Sequence, residues 1–178
     1  YNELLSSLGI QDKAYSDELA RLQPIGKSYS DELARLQPIG KLYSDELARL
    51  QPFDKQFTST LADYTKGRDE LRGYQKSGEY THQDDVKFFN EELPRYDTAI
   101  SDLQKQYKDY QTSISDLTRG QEDHQSYLGD IQTQQKDYQS YLGEVQTGQK
   151  ELGTYRTDVT KRQGELEDYS KAFTSAKQ

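Results

Sequence analysis

The sequence predicts an all-α protein, an elongated, parallel, homo-oligomeric coiled coil built from 14-residue repeats. Three observations predict it. The chain repeats itself every 14 residues, a length of two heptads. Through residues 86–175 one stripe keeps alternating steps of four and three residues, a sustained 3.5-residue period. The composition supports a narrow stripe and not a thick core: 31% of residues are hydrophobic, 30% are charged, and the mean hydropathy is -1.12. Globular domains sit near roughly 45–50% on a count that includes Gly.

The first element is residues 1–75, a series of Pro-interrupted helical repeats. Residues 15–28 read YSDELARLQPIGKS, 29–42 read YSDELARLQPIGKL and 43–56 read YSDELARLQPFDKQ, with worn copies at 1–14 and 57–70. Heptad spacing selects a repeat core of Tyr15, Leu19 and Leu22, then Tyr29, Leu33 and Leu36, then Tyr43, Leu47 and Leu50. The fourth core place is not apolar: it holds Asp12, Gly26, Gly40, Asp54 and Arg68. Pro24, Pro38 and Pro52 each remove a backbone donor, at a cost of ~3 kcal/mol inside a helix. Two readings follow. Either one long helix is kinked at each Pro and keeps its register, or short helices are segmented by Pro-Ile-Gly-Lys turns and capped by Ser16, Ser30 and Ser44. The constant two-heptad spacing favours the first.

The second element is residues 76–85, KSGEYTHQDD, polar and carrying Gly78. The heptad frame shifts by four residues across it. The segment is either a stutter in one rod or a sharp turn that folds the halves into an antiparallel hairpin.

The third element, residues 86–178, is the continuous heptad coiled coil. Its predicted oligomer core is Ile100, Leu103, Tyr107, Ile114, Leu117, Gln121, Leu128, Ile131, Gln135, Leu142, Val145 and Gln149, and the stripe runs back through Leu93, Phe89 and Val86. β-Branched residues at d and wide Gln and Tyr flanks favour a trimer, with higher order as the alternative. Gln121, Gln135, Gln149 and Gln163 recur every 14 residues and read as register-setting layers. His124 stands where other repeats carry Tyr and reads as an ordinary core substitution. Gly120, Gly129, Gly143, Gly148, Gly153 and Gly164 each cost ~1 kcal/mol against Ala in a helix. A rod that tolerates them is either held by its surroundings or built to come apart.

Charge narrows the partners. Lys and Arg number 23 against 31 Asp and Glu, for a net charge of -8. That disfavours nucleic acid, whose backbone is bound by clustered cations. No apolar run approaches a membrane span of ~18 residues, and no signal peptide is visible. Without Cys there is no disulfide or thiolate chemistry. No phosphate loop, nucleophile elbow or metal-ligand spacing occurs, so the expectation is no enzyme, no cofactor and no metal. The Ser-Asp-Glu triplets place acids near helix starts, where they complement the dipole. A chain that opens on Tyr1 and lacks Met reads as an internal or processed piece of a longer product.

The units YQTSISDLTRGQED (110–123) and YQSYLGEVQTGQKE (138–151) give most of the chain a texture that resembles repetitive coiled-coil virion proteins of tailed bacteriophages. These include tape-measure proteins, ejected internal proteins, and fibre or whisker stalks. The resemblance implies a structural role as spacer, stalk or length ruler. Its partners would be further copies of itself and other virion structural proteins, and its location the virion. A stalk of an extracellular adhesin or filament and an intracellular scaffold are the alternatives.

Overall fold

A stripe too narrow to make a core needs a partner surface along its whole length. The computed structural model describes residues 1–176, and they are all-helical: α1 spans Asn2–Ser77 (76 residues) and α2 spans Gln83–Ala176 (94 residues). No helix among them is long and apolar enough to cross a membrane. The chain divides into two units, the first combining Tyr1–Leu36 with the chain from Tyr127 onward, the second formed by Gln37–Ser126.

In each unit a stretch of α1 lies antiparallel to a stretch of α2. In the first unit Gln163 meets Asn2 and Gln149 meets Ser16. In the second Gln121 meets Ser44, Tyr107 meets Asp54, and Arg72 meets Asp97. Advancing along α1 retreats along α2.

The reversal belongs to the second unit and follows from its local chemistry. Gly78 has φ 72°, the left-handed conformation that ends helices at little cost only for Gly. Ser77 Oγ donates to the Tyr74 carbonyl (2.7 Å) and accepts from the Glu79 amide (3.3 Å). His82 stands at the N-cap of α2, its Nδ1 accepting from the Asp84 amide at 3.4 Å. Asp84 and Asp85 follow in the first turn, where acids complement the dipole. Tyr80 packs edge-on against Tyr74 and Phe89, with ring centres 5.8 and 6.3 Å apart. The segment 76–85 is therefore a turn, not a stutter.

α1 passes through Pro24, Pro38 and Pro52 without a break, so the segmented reading gives way to the continuous one. The three prolines are exposed, and so are Ala20, Ala34 and Ala48, whose carbonyls lose their helical donor and can turn to water. α2 supplies further donors near the interruptions. Tyr138 Oη donates to the Leu22 carbonyl (2.8 Å), two residues before Pro24, and Tyr110 Oη to the Leu50 carbonyl (3.1 Å), two residues before Pro52.

Every residue of the stripe from Tyr15 to Leu50 and from Ile100 to Gln149 named above is buried or half-buried. The most buried side chains are Leu8, Leu22, Leu36, Phe89, Ile100, Ile131, Val145 and Val159. At its upstream end the stripe fades, with Val86 46% exposed. The heptad pattern alone points to parallel copies; in the structure the stripe meets the other helix of the same chain, running antiparallel. A heptad pattern states which face is buried and not the direction of what buries it.

Candidate functional site

In each unit the helix–helix seam is built block on block. Residues 15–28 pair with 138–151 in the first unit: Tyr15 with Gly148, Ser16 with Gln149, Glu18 with Tyr141, and both Leu22 and Gly26 with Tyr138. Residues 43–56 pair with 110–123 in the second unit: Tyr43 with Gly120, Ser44 with Gln121, and Leu50 with Tyr110. The three pairs of the second unit stand at the same repeat positions as their counterparts in the first. Each N-terminal repeat has one C-terminal repeat as its counterpart.

Three kinds of contact set this register. The first is a ring lying on a glycine. A Cβ added at Gly148 would stand 2.7 Å from Tyr15 Oη, one at Gly26 2.6 Å from Tyr138 Oη, and one at Gly120 2.8 Å from Tyr43 Cε1. Gly67 receives Tyr96 in the same way, and His124 approaches Gly40, with its ring 6.0 Å from Tyr43. At these glycines an aromatic ring occupies the space of the missing side chain. Gly129 and Gly143 are different: an added Cβ would meet nothing within 4 Å. Two substitutions should therefore part company. Gly143→Ala is expected to raise stability by about 1 kcal/mol through helix propensity. Gly148→Ala should lower it by about 1 kcal/mol, because displacing the Tyr15 ring outweighs that gain. Thermal unfolding followed by circular dichroism gives the order.

The second contact is an amide layer. Gln121 and Gln149 Nε2 donate to Ser44 and Ser16 Oγ, both at 3.1 Å, and Gln163 donates to Asn2 Oδ1 at 2.9 Å. Gln121 and Gln149, two repeats apart, thus face serine hydroxyls across the seam, and Gln163 faces an amide oxygen.

The third is a carboxylate clamp. Glu18 accepts two hydrogen bonds from Arg21 of its own helix and one from Tyr141 Oη across the seam (2.9 Å). Glu32 repeats it with Arg35 and Tyr127 (3.0 Å). No family model, curated protein or solved structure matches the chain. Its chemistry is therefore read from these contacts alone.

The clamp carries a pH signature. The Arg21 hydrogen bonds, then the Tyr141 hydroxyl, lower the Glu18 pKa to about 2, and Arg35 with Tyr127 does the same for Glu32. Accepting from the phenol also raises the pKa of Tyr141 and Tyr127. A depressed carboxylate contributes stability above its unfolded pKa near 4.5 and loses it as pH falls toward about 2. A raised phenol contributes below its ordinary value of 10.0 and loses the contribution as pH rises through the raised value. The melting temperature should fall on both flanks. Glu18→Gln with Glu32→Gln should flatten the acid flank in a pH series of thermal melts, although both clamps are solvent-screened and the effect is modest.

The heptad stripe does not state which repeat faces which, and the antiparallel hairpin is one of two alternatives for the segment 76–85. The signal for the pairing lies in the shared 14-residue period of the two halves, together with Gly26, Gly120 and Gly148 opposite a Tyr of the facing repeat. Among the described residues no group of three His, Asp or Glu gathers as a metal site.

Proposed function

We propose that the chain is a structural spacer of a tailed-bacteriophage virion, a stalk or ruler segment that associates with further copies of itself and with other virion proteins. The observation that carries the spacer reading is the block-on-block pairing. A seam assembled from interchangeable 14-residue blocks can be lengthened or shortened by whole blocks without altering any other contact. The near identity of 15–28 and 29–42 supports this use, since such copies arise by duplication of one unit. The repeat texture of 110–123 and 138–151 supports the virion setting. The role is mechanical, with no chemistry assigned to the seam.

The rules that favour three strands apply to parallel stripes. With the stripe occupied inside the chain, self-association runs through positions that flank the seam, and the number of copies follows from those positions. Removing the paired blocks 15–28 and 138–151 together tests the spacer reading. The expected product is a folded chain whose paired segment is shorter by one block, about 21 Å at 1.5 Å per residue. Loss of folding on paired removal would contradict it.

A further inference from the structure

The carboxylate clamp occurs three times in α1 and is completed only twice. In the first unit Tyr141 and Tyr127 cap Glu18 and Glu32, whose side chains are 28% and 27% exposed. In the second unit Glu46 is gripped by Arg49 in the same way, but the residue at the corresponding place in α2 is Ser113. Ser113 Oγ turns back to the Asp109 carbonyl of its own helix (3.1 Å) and leaves Glu46 uncapped. The Glu46 side chain is 41% exposed, and Phe53, one heptad further along the same edge, is 38% exposed. This uncapped place, the Glu46–Ser113 notch, is a charged acceptor at the seam edge, with Phe53 exposed one heptad along the same helix.

The tyrosine series has the opposite remainder. One repeat beyond Tyr141 comes Tyr155, and the place facing it in α1, one repeat before Glu18, is Leu4. Tyr155 is 51% exposed, and its hydroxyl has no hydrogen bond among the described residues. One chain thus holds a carboxylate socket without a phenol and a phenol without a socket. Glu46 lies three repeats from Leu4 along α1.

We propose that the Glu46–Ser113 notch is a docking site for a second copy of this chain, and that Tyr155 of that copy fills it. The inference rests on the self-associating spacer reading above and names its contact. The occupant is argued from the protein's own template. Two filled clamps show that a Glu gripped by the Arg three residues on still accepts a phenol hydroxyl, at 2.9 and 3.0 Å. A second copy brings the same helix, the same 14-residue period and an unused phenol. Charge agrees: Arg49 already neutralises Glu46, so an approaching acidic chain meets no bare carboxylate, and the hydroxyl donates to the oxygen that Tyr141 and Tyr127 find elsewhere.

The test uses the full chain. Sedimentation velocity over a concentration series gives the self-association constant. Tyr155→Phe, which removes only the hydroxyl, should weaken association about tenfold, the range of a hydrogen bond to a charged group. Ser113→Tyr should close the notch from within and weaken association at least as much, with helicity by circular dichroism retained. A mixed population of isotope-labelled chain and chain carrying p-benzoylphenylalanine in place of Tyr155 should photo-cross-link between copies to the peptides that hold Glu46 or Ser113. Association unaltered in both variants, or cross-links elsewhere, would overturn the docking site and leave the self-associating spacer standing. A chain that stays monomeric at every concentration would overturn both.

Discussion

Deleting residues 15–28 together with 138–151 is expected to leave residues 1–14 paired with 152–163, whereas deleting 15–28 alone is expected to strip 152–163 of its partner. Asn2 faces Gln163 and Asp12 faces Arg156, so the flanking block is held by its own contacts. In the paired deletion that block keeps its place, with Leu8 and Val159, 3% and 4% exposed, still covered. In the single deletion residues 1–14 come to face 138–151, and Val159 is uncovered. A short helical stretch without a packed face is marginal in water, and exposing one Val loses about 1.5–3 kcal/mol. Amides in 152–163 should then exchange roughly a hundredfold faster than in the paired deletion, as read by hydrogen-exchange mass spectrometry. Deleting ten residues, 15–24, turns Leu8 off the seam and should expose the same amides. Equal protection in all three would mean that the blocks are not matched one to one.

The second large effect is expected at Leu22. It is 3% exposed, and its own carbonyl takes the Tyr138 hydroxyl, so side chain and backbone both face α2. Leu22→Asp puts an unpaired carboxylate into the seam and should cost roughly 3–5 kcal/mol. Leu22→Ala should cost about 2–3 kcal/mol from lost burial and the space left behind. Leu42, 67% exposed, provides the control, and Leu42→Asp should stay within about 0.5 kcal/mol. Urea unfolding followed at the helical band separates the three. A Leu22→Asp variant as stable as Leu42→Asp would place Leu22 outside the seam.

These effects also locate what a heptad pattern encodes and what it omits. The four-three spacing identifies Leu22, Leu36, Ile131 and Val145 as inward-facing because helical geometry alone puts them on one side. The polar stretch around Gly78 is legible as an interruption for the same reason, since nothing in it continues the stripe. Whether it turns or merely slips depends on the left-handed φ of one glycine and the His82 cap, and neither has a period. The partner of the stripe is hidden because Tyr15 and Gly148 lie 133 residues apart in the chain. A glycine reads as a helix defect until the ring that covers it is known. Ser113 shows the same limit from the other side. Its departure from Tyr127 and Tyr141 is visible in the repeats, but it acquires meaning only once Glu46 stands opposite. The prolines were legible as donor losses, while their tolerance depends on exposure of the preceding turn and on hydroxyls arriving from the other helix.

The central claim is that the two repeat series pair with each other inside one chain, antiparallel and block on block. Because the sequence contains no Cys, Ser16→Cys with Gln149→Cys places two spin labels and no others. Dipolar electron resonance, measured in a large excess of unlabelled chain, then reads only distances within a chain. Paired helix axes lie roughly 8–10 Å apart, so the account predicts a narrow distribution at short range, persisting on dilution with unlabelled chain. A short distance that vanishes on that dilution, or no short distance at all, would show that the stripe is closed by other copies and would contradict the account.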